Sequence, residues 1–302
     1  MKEYDLIVIG SGPAGLSAAI YASRYNLKVL VLGMQEGGTI TDAHKVCNFP
    51  SRPEVSGALL GEKMKIHAEK YGAEVKMGLV DSIEKKKDGH LIKTNLEEEY
   101  FTKKILFATG TKRRKLNLDR EEELMGSGVS YCATCDGKFF EGKTVGVVGG
   151  ANAAATAALY LAEMAEKVYV IYRKEKLRAV DAWRKEIEKT DNIEVIYNSN
   201  VKKLLGEESL QGVLLDNGEK LNLQGLFIEI GSIPETELAQ KIGVDLEEKY
   251  IKVKDNQKTN LDSVWAAGDI TTNSNYFKQA ITASAEGAIA ANSIYTEIKS
   301  SN

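Results

Sequence analysis

Asp5-Leu6-Ile7-Val8-Ile9-Gly10-Ser11-Gly12-Pro13-Ala14-Gly15 carries an unbroken apolar strand directly into Gly-x-Gly-x-x-Gly. An alanine-rich helix is expected from Pro13 to Tyr25, and a second apolar strand from Lys28 to Leu32 completes a βαβ unit. In that frame each glycine has a physical task. Gly10 permits the tight turn, Gly12 lets the backbone approach a pyrophosphate, and Gly15 allows the helix to pack closely on the strand. The free N–H groups and positive dipole end of the helix then face the phosphates.

A second opening of the same kind follows downstream. Thr144-Val145-Gly146-Val147-Val148 runs into Gly149-Gly150-Ala151-Asn152-Ala153-Ala154, with a helix expected over Ala155–Ala165 and a strand over Lys167–Tyr172. Two such units imply two nucleotide cofactors, or a duplicated fold that kept one. Either way the fold class is α/β, with two Rossmann-like three-layer domains. The 302 residues agree, since about 100–200 residues make one domain.

Charge and composition exclude other classes. With 43% hydrophobic and 27% charged residues and a net charge of -3, the chain has the profile of a globular protein. No basic face marks it for nucleic acid. The basic run Lys112-Arg113-Arg114-Lys115 is soon followed by Arg120-Glu121-Glu122-Glu123, and both are expected to be solvated surface or hinge. Lys2-Glu3-Tyr4-Asp5 precedes only four apolar residues, Leu6 to Ile9, too few for a signal core or a membrane span. A cytoplasmic chain without membrane contact is therefore expected, and there structural disulfides are rare.

Against that background the three cysteines, Cys47, Cys132 and Cys135, need a chemical account. Cys132 and Cys135 stand in Tyr131-Cys132-Ala133-Thr134-Cys135-Asp136-Gly137. Such a pair closes a small disulfide at the start of a helix, where the dipole lowers one thiol's pKa. Exchange through a mixed disulfide needs one attacking and one resolving sulfur. A zinc site would need four ligands, and only Cys47 and the scattered His44, His67 and His90 are left to complete it. Cys47, beside Asn48-Phe49-Pro50, is expected to be a small buried residue, and His44 a structural one.

With its two glycine openings and this Cys-x-x-Cys, the chain resembles the low-molecular-weight thioredoxin reductases over nearly its whole length. Gly10-Ser11-Gly12-Pro13-Ala14-Gly15 resembles their FAD-binding start. Gly37-Gly38-Thr39, Asn48 and Ala108-Thr109-Gly110 sit where that family has further flavin contacts. Near the C-terminus, Gly268-Asp269 and Lys278-Gln279-Ala280 match its Gly-Asp motif and (Arg/Lys)-Gln-Ala helix start.

The resemblance implies an FAD domain of about 1–111 and 242–302, and an NADP-binding domain of about 114–241 inserted within it. Hinges are expected at Thr111–Lys115 and near Gln240–Gly243, about which family members rotate the inserted domain. It also implies that Cys132 is the exposed sulfur attacking thioredoxin, that Cys135 is the flavin-side sulfur and that Asp136 is the acid–base residue. NADPH is the implied reductant, thioredoxin or a thioredoxin-like protein the partner, and a homodimer the assembly.

For NADPH the tentative contacts are Gly149, Gly150, Asn152 and Ala153 at the turn, with Arg173, Lys174 and Arg178 after the following strand. Basic residues at that strand end accept a 2′-phosphate, and guanidinium groups suit it. Two departures from the family keep a rival open. Ala151 stands at the middle glycine, and Thr156 and Ala157 replace its usual acidic residues. The rival is the same flavin dithiol reductase fed by another donor such as ferredoxin. A non-catalytic flavin redox sensor is the reading from a different class. In the C-terminal helix, expected over Lys278–Ile298, Ala283, Gly287 and Ala291 recur every four residues, a pattern that favours close backbone packing within the FAD domain or between subunits.

Overall fold

A computed structural model describes residues 2–43 and 46–300. The chain divides into two compact units, one formed up to Lys112 and again from Ile233, the other by Arg113–Ser232.

In the first unit, strand Lys2–Ile9 lies between parallel neighbours Val29–Gly33 and Glu99–Phe107. Its second half, Leu6 to Ile9, is buried on both faces, as a continuous apolar run in a parallel sheet requires. Glu74–Met77 extends one side of the sheet, and the hairpin Val80–Lys86 with Gly89–Thr94 extends the other. Strand Glu99–Phe107 is shared along its length. Its first residues pair with Gly89–Thr94, whereas Ile105 to Phe107 pair in parallel with Val264–Ala266. That pairing returns the C-terminal part of the chain to the sheet that the first glycine motif opened.

The return begins at Ile233, before the 242 expected. The reason lies in helix Glu237–Lys241, whose Ala239 is fully buried in one core with Ile7, Ile9 and Val80 of the first unit. Where the chain passes from one unit to the other, Thr111–Arg113 and Ser232–Pro234 pair as a two-stranded sheet.

Helices Pro13–Arg24 and Ala280–Ser300 pack together on one face of the first sheet. A methyl group on Gly287 would lie 2.0 Å from the Ala14 carbonyl oxygen, so the two backbones meet at a point where only glycine fits. Ala283, Gly287 and Ala291 are buried in this contact, which places the small-residue stripe inside the unit. Fully buried Trp265 fastens the far end of the same helix. Its indole N–H donates to Ser293, the ammonium groups of Lys104 and Lys258 lie 5.4 and 5.3 Å from its ring, and both lysines pair with Glu297.

The second unit repeats the parallel plan. Its five strands lie in the order Ile193–Ile196, Lys167–Ile171, Thr144–Val148, Gly225–Ile228, Val129–Ser130. Helix Asn152–Ala162 covers one face, and an antiparallel sheet of Val201–Leu205, Gly212–Leu215 and Lys220–Asn222 contributes to the core on the other. Helix Asp181–Lys189 presents the half-exposed Trp183.

Overpacking a tight backbone contact costs about 1–3 kcal/mol. Gly287→Ala is therefore expected to destabilise the first unit by about that amount or more, measured as a lowered denaturant midpoint, whereas Gly72→Ala, with open space around it, loses only the ease of its positive φ.

Candidate active site

The parallel strands of the second unit aim their carboxyl ends at the turn that carries the dithiol. Val129–Ser130 leads straight into Cys132, which caps the single helical turn Ala133–Asp136 in an extended conformation. Cys132 and Cys135 are joined in a disulfide with Cα atoms 5.3 Å apart, and the Cys132 carbonyl accepts the N–H groups of Cys135 and Asp136 at 3.2 and 3.1 Å. Both cysteines are half-buried, so burial by itself does not separate their roles.

Asp136 is held close by. Its carboxylate accepts the Ser130 hydroxyl at 2.6 Å, and the Ser130 oxygen accepts the Cys132 N–H at 3.1 Å. Thr134 Oγ1 lies 3.5 Å from Cys132 Sγ. A serine before the motif thus ties its proton-carrying candidate to the backbone of its first cysteine.

A second carboxylate fixes the approach to the pair. Glu121 was expected on a solvated surface, yet it is 3% exposed. Its oxygens accept the N–H groups of Leu116 and Leu118 at 3.0 and 3.1 Å and the hydroxyl of Tyr131, the residue before Cys132. Burial first, and then Glu121 itself, push the Tyr131 hydroxyl's pKa well up. The neighbouring charges follow the expectation: Arg120 pairs with Glu123 and Lys115 with Glu122 at the surface. Nothing in the run Glu121-Glu122-Glu123 distinguished the one that turns inward.

Glu229, at the end of strand Gly225–Ile228, was not anticipated either. It is half-buried, and desolvation pushes its carboxyl up to about 7 against the opposing pull of Arg113 and the Ala133 N–H.

In the first unit the glycine turn is built by close approach. Gly10 has φ +117°, and a methyl there would lie 2.1 Å from the Ala108 carbonyl oxygen, while one on Gly15 would lie 1.9 Å from that of Gly10. Gly12 differs: a methyl there would meet nothing closer than 3.9 Å, where the backbones of Gly37 and Gly38 face it. The result is a cradle walled by main chain, below a helix N-terminus whose cap makes no side-chain hydrogen bond. That is the form a pyrophosphate needs.

The other residues expected at a flavin all lie in the first unit. Ser11 is buried, with its hydroxyl on the Gln35 carbonyl at 2.8 Å, and Thr39 lies in the turn Gly38–Asp42. Asn48 donates to Gln279 at 3.0 Å, joining distant parts of the chain at the start of the C-terminal helix, where Ala280 is the first residue. Thr109 donates to the Glu235 carbonyl at 2.9 Å beside Gly110, and Lys278 to the Asp269 carbonyl at 2.9 Å. A methyl on Gly268 would lie 2.8 Å from the Ala14 side chain. His44 lies outside the described residues. Cys47 is exposed with a free thiol, which corrects the expectation of burial; it follows Val46, whose bridge to Val55 turns that side chain inward instead.

Glu286 is the residue here that sequence reasoning missed. It is 4% exposed, and its carboxylate accepts the Gly268 N–H at 2.7 Å, the Thr271 hydroxyl at 2.8 Å and the Ser274 hydroxyl. One buried side chain thereby holds the whole Gly268–Ser274 loop.

At the second glycine turn Gly149 has φ +151°, and a methyl would lie 2.4 Å from the Glu229 carbonyl oxygen. The Tyr172 ring lies against Gly150, at 2.3 Å from where a methyl would sit, and its buried hydroxyl has no hydrogen-bond partner among the described residues. The Gly150 carbonyl accepts the N–H groups of Arg178 and Ala179 at 2.6 and 3.1 Å, and Asn152 accepts that of Val180 at 2.9 Å. The basic loop is thus folded back onto the turn. Arg173, Lys174 and Arg178 are exposed and in no ion pair among the described residues, as is Ala153 on the surface of the helix start.

Two dinucleotide turns and a closed Cys-x-x-Cys define the class of nucleotide-dependent disulfide oxidoreductases. The model of the family described as pyridine nucleotide-disulphide oxidoreductase matches residues 4–287. A thioredoxin reductase of Bacillus subtilis (strain 168) is 35% identical over 300 residues, covering 97% of this chain and 94% of the relative. One of Peptoclostridium acidaminophilum is 38% identical over 302 residues, covering 95% of each. The solved thioredoxin reductase of Streptococcus pyogenes MGAS5005 superposes with a TM-score of 0.92 at 34% identity, covering 99% of both chains. The chain therefore belongs to the pyridine nucleotide-disulphide oxidoreductases, among the low-molecular-weight thioredoxin reductases, a family that uses FAD and NADPH. No helix among the described residues is long and apolar enough to cross a membrane.

Leaving buried donors unmatched costs about 1–3 kcal/mol. Glu286→Ala is expected to lower stability in that range and to speed hydrogen exchange at the Gly268 amide by more than tenfold, with amides of the second unit unchanged.

Proposed function

We propose that this protein is a thioredoxin-disulfide reductase that passes electrons from NADPH, through FAD and the Cys132–Cys135 dithiol, to oxidised thioredoxin. The observation that carries this reading is the disulfide itself, closed over one helical turn and held with Asp136 through Ser130.

In the reduced protein Cys132 attacks one sulfur of the partner's disulfide as a thiolate, forming a mixed disulfide and releasing the partner's other sulfur as a thiolate. Cys135 then attacks Cys132 Sγ, which re-forms the Cys132–Cys135 bond and releases the partner's second sulfur. Each departing thiolate takes up a proton, and Asp136 is the group within the turn to move it. FAD, when bound, supplies the electron pair that reopens the disulfide, replenished from NADPH.

Gly12, faced by Gly37 and Gly38, suits the pyrophosphate of FAD because the backbone is open there, and Gly10, Pro13, Ala14 and Gly15 build the turn and helix start around it. Asn48, Gln279, Lys278, Gly268 and Asp269 would complete that site, joined as they are by direct hydrogen bonds or by the Glu286-held loop. For NADPH, the unpaired Arg173, Lys174 and Arg178 suit the 2′-phosphate. A homodimer and a cytoplasmic setting accord with the family. The methyl of Ala151 and the Tyr172 ring favour one second reading, in which another donor such as ferredoxin reduces the flavin.

Anaerobic titration of the oxidised flavoprotein with NADPH, then NADH, tests the donor, and steady-state reduction of thioredoxin tests the acceptor. Bleaching within seconds by NADPH is expected, and Arg173→Ala with Arg178→Ala is expected to weaken NADPH more than NADH. If neither nucleotide bleaches the flavin, the second reading takes over. Cys132→Ser and Cys135→Ser should each abolish thioredoxin turnover while leaving bleaching intact, and Asp136→Asn should lower kcat by about 10²-fold.

A further inference from the structure

Cys132 lies past the end of strand Val129–Ser130 and before the single helical turn, and Tyr131, the residue that leads into it, belongs to neither element. The side chain of Tyr131 is tied down instead. Its hydroxyl donates to Glu121 Oε1, which also accepts the Leu116 N–H at 3.0 Å, while Oε2 accepts the Leu118 N–H at 3.1 Å. Glu121 is 3% exposed and in no ion pair among the described residues, so neutral donors alone offset its burial.

The chain is bent to bring this carboxylate inward. Arg120 has φ +66°, a left-handed backbone that side chains disfavour. Its guanidinium donates to the carbonyls of Gly206 and Glu207 and pairs with Glu123 at 2.8 Å, which holds the bend. Leu116, Leu118 and the Tyr131 ring pack against one core with Leu124 and Val129. Strain kept beside a buried carboxylate, one residue's reach from a redox cysteine, points to a use.

In the oxidised protein the disulfide itself links Cys132 to Cys135. Opening it removes that link and leaves the tie through Tyr131. We propose that Glu121 is a positioning residue that, through the Tyr131 hydroxyl, keeps Cys132 within closing reach of Cys135 in the dithiol state. The proposal rests on the opening and closing of the pair described above.

Closing forms one S–S bond and removes two protons and two electrons from the two thiols. An untied Cys132 loses more conformational freedom in that step than one already held, so the tie favours the disulfide and lowers the reduction potential of the pair. By linkage, the disulfide strengthens the tie by the same factor. A tie that served the fold alone would be equally strong in both redox states and would leave the potential unmoved.

The test equilibrates the flavin-loaded full chain anaerobically in mixtures of reduced and oxidised dithiothreitol, the oxidised form being the electron acceptor. After an acid quench and alkylation, the dithiol fraction is read by mass spectrometry of the peptide carrying both cysteines. Tyr131→Phe removes only the hydroxyl and should lower the closing constant about tenfold, which raises the potential by about 30 mV. Glu121→Gln should move it the same way, and the double variant no further than the larger single shift, because both act through one bond. Glu122→Gln, next in sequence but paired with Lys115 at the surface, should leave it unchanged. A Tyr131→Phe potential equal to that of the unaltered protein would overturn the proposal, and so would a double variant whose shift is the sum of the two.

If Glu121→Gln does not fold, Tyr131→Phe decides alone through a second measurement. In denaturant it should destabilise the oxidised protein more than the reduced one, and equal losses would overturn the proposal. Thioredoxin takes no part in either measurement, so absent thioredoxin turnover in the unaltered protein would count against the function proposed above and not against this role of Glu121.

Discussion

The main chain comes closer to itself at the first glycine turn than side chains would permit, and the first unit is organised around that approach. Gly10 sits against the Ala108 carbonyl, Gly15 against the carbonyl of Gly10, and Gly287 against that of Ala14. Sheet, first helix and C-terminal helix are thereby stacked at backbone contact. The same economy leaves Gly12 open, so the one glycine not consumed by packing faces the cradle. Apolar burial supplies the bulk of the driving force, but these contacts decide which surfaces meet and where a ligand finds exposed N–H groups.

The second unit obeys the same constraint with one alteration. Gly149 touches the Glu229 backbone, and Gly150 is occupied by the Tyr172 ring. A strand end that in related folds meets a ribose here presents an aromatic ring, with its cations one step further along the loop. The carboxyl ends of the parallel strands still converge, and from that convergence come the dithiol, Asp136 and Glu229.

Much of this was legible because it is local. Strand, glycine turn and helix occupy one short stretch, and the spacing of Cys132 and Cys135 carries its chemistry within four residues. What escaped was the fate of individual carboxylates. Glu121 and Glu286 look like any surface acid in the chain, and each turns inward because donors arrive from elsewhere: Leu116, Leu118 and Tyr131 for the first, Gly268, Thr271 and Ser274 for the second. The return point at Ile233 was misjudged for a similar reason, since only the fold shows which core receives Ala239. Cys47 erred the other way: its small apolar character favours burial in general, but its local chain turns Val46 inward instead.

The placement of the tryptophans has a practical side. The chain has two, and each unit holds one. Trp265 is sealed between two ammonium groups with its indole N–H on Ser293, whereas Trp183 stands half-exposed on a helix. Their intrinsic emission should differ in colour and in access to soluble quenchers, because one ring is dry and the other wet. Replacing either with phenylalanine would leave a single indole, and with excitation beyond the tyrosine band the melting of each unit could then be followed optically with no label attached.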